Sequence, residues 1–427
     1  MTVFACHWRH ALGAAVASLG LVSATAALAA TTVTVWCWDP NFNGATMKEA
    51  GARYAKLHPD VTLNVVDFAK PDMEQKLQAQ LASGTTEGLP DIVLIEDYGA
   101  QKYLQSFPKA FLPLSDTGAI DYKGFAPYKV ALATVAGKTY SLPFDSGVSG
   151  MFYRSDYLAD AGFKSDALQD ITWDKLIEIG KAVEAKTHHK LLDLDVNDAG
   201  LLRIMMQSAG TWYFTPDGKE NIAGNPAFKA ALSAYAKLLS SDVYMPVSGW
   251  NDYTGAFTSG KSSAAITGVW MTGTIKANKD QSGKWAIAPV PKLDGVEGAT
   301  HASNLGGSSW YVLSSAKSKD AAVDFLAQIW GKDVDFYQKI LIGQGALGSL
   351  MAARDGAAFK ASDDFFGGAP VWQNFSTWLG KIPGVNYGVF TNEADAAVVA
   401  QLPGLAKGGS VDDAIKAIDA QVKQQMQ

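Results

Sequence analysis

The sequence predicts an α/β protein with a mostly parallel β-sheet. Short apolar strands alternate with amphipathic helices between residues 33 and 97, and the third of these strands is apolar almost throughout. Strands return after residue 262, beyond a segment dominated by helices. Alternating strands and helices form parallel sheets with right-handed crossovers. The late strands further indicate a chain that leaves one lobe and re-enters it.

The first elements have the order β-α-β-α-β. Strands are predicted over 33–38, 61–68 and 90–97, because their apolar and β-branched residues alternate or run together as in buried parallel strands. A helix over 46–57 has apolar residues at helical spacing. Asp72 is placed to cap a second helix. The order therefore predicts three neighbouring parallel strands.

The same signals predict the later elements. Strands are predicted over 139–144, 262–268 and 284–291. Helices are predicted near 172–186 and 201–209, and after caps at Asn225, Ser318 and Ser410. Three tryptophans fall inside these patterns and are interpreted as core residues: Trp173, Trp285 and Trp330.

Cys37 is the single cysteine after the first thirty residues, so no internal disulfide can form there. Strand alternation places it with Val33 and Val35, opposite Trp36 and Trp38. We expect Cys37 to be a buried, unreactive thiol and Trp36 to be a core residue.

The first segment, 1–29, has the pattern of a cleaved secretory signal peptide. Arg9 is followed by twenty uncharged residues that end near Ala27-Leu28-Ala29, a small-x-small cleavage pattern. An uncleaved membrane anchor is the alternative, but the stretch is rich in Ala, Gly and Ser. There is no cysteine at the cleavage point to carry a lipid. We expect a soluble periplasmic protein.

The composition argues against nucleic acid as a partner. The formal net charge is −6, charged residues make up 18% of the chain, and no run of Lys and Arg is present. This balance also disfavours a strongly anionic ligand. We expect a monomer.

Aromatic and acidic residues follow four predicted strands, at the edge where open parallel sheets bind ligands. The residues are Trp38, Asp39, Asn41 and Phe42 after the first strand, Glu96 and Asp97 after the third, Asp145 after the strand over 139–144, and Trp270 after the strand over 262–268. Carboxylates and amides bind hydroxyl groups in pairs, and an indole face receives the apolar face of a pyranose. This chemistry indicates a sugar site. For each residue alone, a structural role such as helix capping is the alternative.

Common catalytic and cofactor motifs are missing from the sequence, including the nucleophile elbow, the P-loop, the dinucleotide fingerprint and H-E-x-x-H. We interpret the glycines and serines over 306–309 as a turn or as a close backbone approach to a ligand. Adjacent His188 and His189 would point to different faces of a helix, which argues against a shared metal. No cofactor or metal is expected. The acids could still supply the two carboxylates of an exported glycosidase.

Three segments in this order, after an exported βαβ start, resemble the extracellular sugar-binding subunits of ABC importers. They read KLQAQLASGTTEGLPDIVLIED, GKTYSLPFDSGVSGMFYRSDYLADAGF and AFTSGKSSAAITGVWMTGTI. The likeness runs from about Thr31 to the C-terminus and is to the group that includes maltose-binding proteins. VWCWDPNFN, over 35–43, looks most like the subgroup that binds lactose or arabino-oligosaccharides.

The resemblance implies a periplasmic-binding-protein-like fold, with two α/β lobes, a ligand cleft between them and three chain crossings. By motif, the crossings fall at 145–149, just before Ala264, and near 307–315. The N-terminal lobe would comprise 30–146 and 264–309, and the C-terminal lobe 147–263 and 310–427. No cofactor is implied, and the implied partners are a sugar and the membrane permease subunits.

The resemblance also implies ligand contacts. It supports Asp39, Glu96, Asp97, Asp145 and Trp270 at the strand ends, and it adds Gly307, Trp212, Trp310, Trp372 and Tyr387 as candidates. Gly147 stands near the place of the acid that maltose-type proteins have, so maltose is not the expected ligand. The sequence thus predicts a receptor that captures a sugar by cleft closure. The alternatives are an exported sugar-processing enzyme and a receptor for another solute, such as a polyamine or an iron complex.

Overall fold

The computed structural model describes residues 31–427, so the predicted signal peptide lies outside the described residues. The strands are β1 Thr31–Trp38, β2 Val61–Phe68, β3 Ile92–Glu96, β4 Thr134–Val135, β5 Lys138–Thr139, β6 Ser141–Arg154, β7 Leu192–Asp195, β8 Tyr244–Val247, β9 Ala264–Gly268, β10 Trp285–Ala288 and β11 Asn304–Val312.

Helices cover both faces of the strands. They are α1 Asn43–Leu57, α2 Lys70–Ser83, α3 Asp97–Ser106, α4 Pro127–Leu132, α5 Ser155–Asp160, α6 Trp173–Thr187, α7 Gly200–Ser208, α8 Pro226–Leu239, α9 Trp250–Thr258, α10 Thr272–Lys276, α11 Lys319–Phe325, α12 Val334–Gln344, α13 Ala357–Lys360, α14 Val371–Leu379, α15 Thr391–Ala406 and α16 Val411–Gln425. No helix among residues 31–427 has the length and apolar character needed to cross a membrane.

The main sheet has seven strands in the order β10-β6-β11-β3-β1-β2, with β9 also paired to β6. β1 is parallel to β2 and to β3, as the β-α-β-α-β order predicts. The pairs that involve β6 or β11 are antiparallel. The prediction of a mostly parallel sheet is therefore right for the first three strands and wrong for the rest, because β6 and β11 lie antiparallel to all their neighbours.

A single long strand, β6, connects the two halves of this sheet. Its first residues, 141–146, pair with β11, and residues 149–154 pair with β9 and β10. Within the segment 264–309, β9 and β10 lie on the second half of β6, whereas β11 lies beside β3. Motif matching does not reveal such an arrangement, because strand order is set by pairing between distant segments.

Residues after β11 make polar contacts with α1. Arg53 Nη1 on α1 donates to Asp333 Oδ2 at 2.8 Å, and Tyr54 donates to Asp324 at 2.6 Å. The segment that follows residue 310 therefore packs first against α1. The chain leaves for the other half only later, where α14 packs on β6 through Phe375 and Phe152 with ring centroids 5.5 Å apart.

β1 is buried on both faces, as expected for a central parallel strand. Val33, Val35 and Cys37 belong to the large core, and Trp36 belongs to a smaller core with residues of α2. The predicted faces of β1 and the burial of Cys37 and Trp36 are thereby confirmed. Trp173, Trp285 and Trp330 are buried as predicted.

The helix caps agree with the sequence in two cases and differ in two. Asn225 and Ser410 accept backbone N–H groups at the starts of α8 and α16. Asp72 is not a cap, because α2 begins at Lys70 with a proline in its first turn. Ser318 precedes α11, but its hydroxyl donates to the Thr32 carbonyl at 2.7 Å instead of capping the helix.

Candidate ligand-binding site

A cavity of about 720 Å³ opens where the ends of β1, β3, β7 and β9 meet. Small-molecule sites in proteins commonly have volumes of about 300–1,000 Å³. Eight of the predicted ligand residues line this cavity: Trp38, Asp39, Asn41, Phe42, Glu96, Asp145, Trp270 and Gly307. Residues from distant parts of the chain, selected because they follow predicted strands, therefore lie together in the structure.

The loop after β1 forms one wall and is organised by Asp39. Asp39 has a left-handed backbone, with φ of 55°. Its Oδ1 accepts the backbone N–H groups of Asn41 and Phe42, each at 3.1 Å. Its carbonyl accepts the N–H of Gly44 at 3.1 Å. These bonds turn the chain sharply into α1 and leave the Asp39 side chain exposed at the cavity edge.

Trp270 forms a second wall in a helical turn, Val269–Met271, directly after β9. Its indole N–H donates to the carbonyl of Leu305 at 3.0 Å. This bond fixes the ring against the start of β11, to which Leu305 belongs. The ring is half-buried, so part of its surface is available to a ligand.

Asp145 and Gly307 form the floor, where β6 and β11 cross. Asp145 Oδ1 accepts the backbone N–H of Ser308 at 2.8 Å and also its hydroxyl. Burial raises the pKa of the Asp145 carboxyl above its usual range. Gly307 has φ of 90°, and a Cβ there would lie 2.9 Å from Asp97 Oδ2. The position therefore leaves no room for a side chain.

Glu96 is held beside Trp38 by a lysine. Lys70 Nζ forms an ion pair with Glu96 and lies 5.6 Å from the Trp38 ring centroid. The three side chains belong to β1, β3 and α2. Lys70 thus contacts both a carboxylate and an aromatic ring of the cavity lining, two groups that can bind the hydroxyls and the apolar face of a pyranose.

Asp97 does not line the cavity, contrary to the expectation. It is buried behind the floor, where Lys129 Nζ lies 2.8 and 2.6 Å from its two oxygens. Lys129 also donates to the carbonyl of Ser308 at 2.8 Å. Burial raises the pKa of Asp97 to about 6, although Lys129 opposes the change. Asp97 begins α3, so its side chain turns away from the edge that Glu96 occupies.

The four additional rings predicted from the resemblance also lie away from the cavity wall. Trp212 and Tyr387 pack together with Tyr98, which itself lines the cavity, at centroid distances of 4.6–5.9 Å. Trp310 is fully buried on β11 beside Phe144 and Trp330. Trp372 is half-buried on α14. Loose sequence matches could not distinguish core rings from site rings.

Sequence reasoning missed most of the wall formed by β7 and its surroundings. The missed lining residues are Tyr98, Asp193, Asp195, Asp198, Arg203, Tyr235, Tyr253 and Thr267. A signal for Asp193 and Asp195 was present in LDLD over 192–195, an apolar and acidic alternation followed by a turn. Arg203 lies between Asp198 and Asp395, with its Cζ 4.5 Å from the Tyr98 ring centroid. The completed site combines carboxylates, amides, hydroxyls and rings, which can hold a neutral polyhydroxy ligand from several sides.

Comparison with known proteins is consistent with this geometry. A family model described as bacterial extracellular solute-binding protein matches residues 49–367. A lactose-binding protein of Rhizobium radiobacter is 58% identical over 419 residues, with 98% of each chain covered. An arabinooligosaccharide-binding protein of Bacillus subtilis strain 168 is 27% identical, over 71% of this chain and 70% of that one.

A solved structure shares the fold. It is the ABC-transporter-associated binding protein from B. animalis subsp. lactis Bl-04, in complex with β-1,6-galactobiose, with a TM-score of 0.72 and 24% identity. The alignment covers 92% of this chain and 96% of that one. Because the family model matches most of the chain and the 58% identity extends over nearly all of it, the chain belongs to the bacterial extracellular solute-binding proteins.

Proposed function

We propose that this protein is the substrate-binding receptor of an ABC importer, which captures a small sugar or oligosaccharide and delivers it to the membrane permease. The observation that carries the proposal is the cavity, in which Asp39, Asn41, Glu96 and Asp145 lie with Trp38 and Trp270. Paired acids and amides satisfy sugar hydroxyls, and indole faces cover the apolar side of the ring.

Lactose is the first ligand to test. The relative named as lactose-binding is 58% identical over nearly the whole chain, and the more distant relative is named for arabino-oligosaccharides. Gly147 lies in β6, and the resemblance places it near the acid of maltose-type proteins, so that acid has no counterpart at this position. We therefore infer a preference for lactose or a similar short β-linked sugar over maltose.

The proposed mechanism is closure of two lobes on the ligand. We assign 31–146 and 307–349 to one lobe, and 147–304 and 357–427 to the other, because strand pairing and helix packing group these segments. The cavity is lined from both groups. A ligand that contacts both lobes binds the closed form more tightly and shifts the equilibrium toward it. We further propose a periplasmic monomer released by removal of residues 1–29.

Titration calorimetry with lactose, arabinotriose and maltose tests the proposal. We expect saturable binding of lactose and much weaker binding of maltose. The sugar recovered after prolonged incubation should be unchanged, since a receptor has no catalytic turnover. Glu297→Ala, an exposed acid away from the cavity, should bind like the wild type. Absence of binding to all three sugars, or release of monosaccharides from lactose, would overturn the proposal.

A further inference from the structure

Asp193 is a carboxylate on the cavity wall with one unused oxygen. It lies on β7 and is 1% exposed. Its Oδ1 accepts the hydroxyl of Ser262 at 2.6 Å. Its Oδ2 is buried and has no hydrogen-bond partner among the described residues. A buried, unpaired carboxylate oxygen is costly, so an oxygen of this kind beside a ligand cavity points to a donor supplied by the ligand.

Among residues 31–427, the cations nearest to Asp193 along the chain or in the cavity already have carboxylate partners. Arg203, which lines the same cavity, forms ion pairs with Asp198 and Asp395. β7 itself contributes Asp195, and α9 contributes Asp252 and Tyr253. The neighbouring strand β8 contributes Tyr244, and β9 has no titratable residue. The closest lysine along the chain, Lys190, already forms ion pairs with Glu184 and Asp242.

We propose that Asp193 is a specificity-determining residue, whose Oδ2 accepts a hydroxyl of the bound sugar from the side of the cavity opposite the β1 loop. This inference rests on the proposed sugar-binding function. It selects for a neutral ligand that offers a hydroxyl donor at this position. A ligand with a carboxylate or phosphate at this position would place a second anion beside the Asp193 carboxylate and would be rejected.

The proposed bond makes affinity depend on pH. Burial raises the pKa of Asp193 to about 7, while the Ser262 hydroxyl opposes the rise. A sugar hydroxyl that donates to the carboxylate stabilises its ionised form and lowers the pKa of the complex. The complex then holds fewer protons than the free protein. Affinity should therefore be full above about pH 7 and should fall as the pH decreases through the pKa of the free protein.

The experiment is calorimetry with lactose from about pH 5.5 to about pH 8.5, in two buffers that differ in ionisation enthalpy. The wild type should lose roughly thirtyfold in affinity between about pH 8 and about pH 5.5, at up to tenfold per pH unit. The buffer dependence of the heat should show proton release on binding near pH 6.5. Asp193→Asn should remove most of this dependence, because an amide does not titrate.

Two further variants separate the proposal from a general effect of acid. Ser262→Ala removes a bond that favours the charged form, so its affinity profile should move to higher pH. Glu297→Gln, which changes an exposed acid away from the cavity, should retain the wild-type affinity and pH dependence. Wild-type binding of lactose without pH dependence or proton release would overturn this proposal alone. Failure of the wild type to bind lactose at every pH would overturn this proposal for lactose, and failure to bind lactose, arabinotriose and maltose would overturn the proposed function with it.

Discussion

At the scale of single residues, Asp39 combines two roles. Its carboxylate holds the β1 loop together through the N–H groups of Asn41 and Phe42, and it also stands at the cavity edge. A residue with positive φ is costly for most side chains, although Asp and Asn tolerate it. This explains why an acid follows Trp38 at this turn. Trp270 has a comparable double role, since its indole N–H is tied to the Leu305 carbonyl.

We expect Asp39→Ala and Trp270→Ala each to weaken lactose binding by roughly thirtyfold or more. Loss of an anchor ring or of a desolvated acceptor typically costs about 2 kcal/mol, and every 1.4 kcal/mol is about tenfold in affinity. Calorimetry on both variants measures the effect, and thermal melting without ligand checks the fold.

Asp39→Asn is the matched variant for the loop role. An amide oxygen can still accept the two loop N–H groups and tolerates the left-handed backbone. If Asp39→Asn restores stability but not affinity, the charge contacts the ligand. Near-normal affinity in both alanine variants, or a collapsed melting temperature without ligand, would assign these residues a purely structural role.

Lys129 illustrates a buried charge that serves the fold. It is 0% exposed, and it donates to Asp97 and to the Ser308 carbonyl beneath the cavity floor. Lys129→Met should lower the free energy of unfolding by roughly 3–5 kcal/mol, because it leaves Asp97 buried without its partner. Denaturant unfolding measures this change.

The exposed pair Lys138–Asp116, with N and O 2.6 Å apart, provides the control for that variant. Lys138→Met should change stability by less than about 1 kcal/mol, as is usual for surface pairs. Equal changes in the free energy of unfolding for the two substitutions would show that the buried pair stabilises the fold no more than the exposed pair.

Cys37 should be inert toward thiol reagents in the native protein. It is 0% exposed, and burial together with the neighbouring Asp67 raises its thiol pKa well above the usual range. The thiolate is the reactive form, so labelling should require unfolding of β1. Labelling at pH 8 in the native state and in denaturant measures both rates. Comparable rates in the two conditions would contradict the burial.

At the scale of elements, the paired strands β6 and β11 approach each other closely near the site. A Cβ on Gly147 would lie 2.1 Å from the Leu305 carbonyl oxygen. The same Leu305 carbonyl accepts the Trp270 indole N–H. The backbone approach that Gly147 permits is therefore linked directly to the position of the aromatic wall.

Gly147→Ala should destabilise the protein by about 1–3 kcal/mol, the usual cost of forcing extra atoms into a packed region. It should also weaken lactose binding, because displacement of the Leu305 carbonyl breaks its hydrogen bond with the Trp270 indole and lets the ring move. Gly255→Ala is the control, since a Cβ in that α9 position meets no atom within 4 Å and its φ is not positive. That variant should be neutral or stabilising. A wild-type melting temperature for Gly147→Ala would contradict the tight crossing.

At the scale of the whole molecule, we expect closure of the two proposed lobes around the ligand. The walls of the cavity come from β1 and β3 on one side and from β7 and β9 on the other. Small-angle scattering should give a smaller radius of gyration with saturating lactose than without it. An unchanged radius at saturation would count against closure as the signal that the permease reads.

Ligand binding should also stabilise the whole molecule. A ligand present at 100 times its dissociation constant adds about 2.7 kcal/mol to the free energy of unfolding. A thermal-shift series with lactose therefore gives an independent check on binding. A melting temperature that stays constant up to millimolar lactose would indicate that lactose is not the ligand.

The sequence by itself determined the local elements and much of one cavity wall. The alternation in 33–38 and the apolar run in 90–97 identified β1 and β3 and the faces of β1. Because side chains at the ends of parallel strands meet at one edge, Asp39 and Glu96 could be assigned to the cavity without coordinates. These inferences depend on periodicity and on short-range order along the chain.

The tertiary structure alone decided which distant segments pair. The continuity of β6 across the sheet, the place of β9 beside it and the burial of Trp310 and Asp97 all follow from contacts between residues far apart in sequence. A tryptophan in a strand has the same local pattern whether it faces a cavity or a core. Its role is set by the element that packs against it, and no local pattern contains that information.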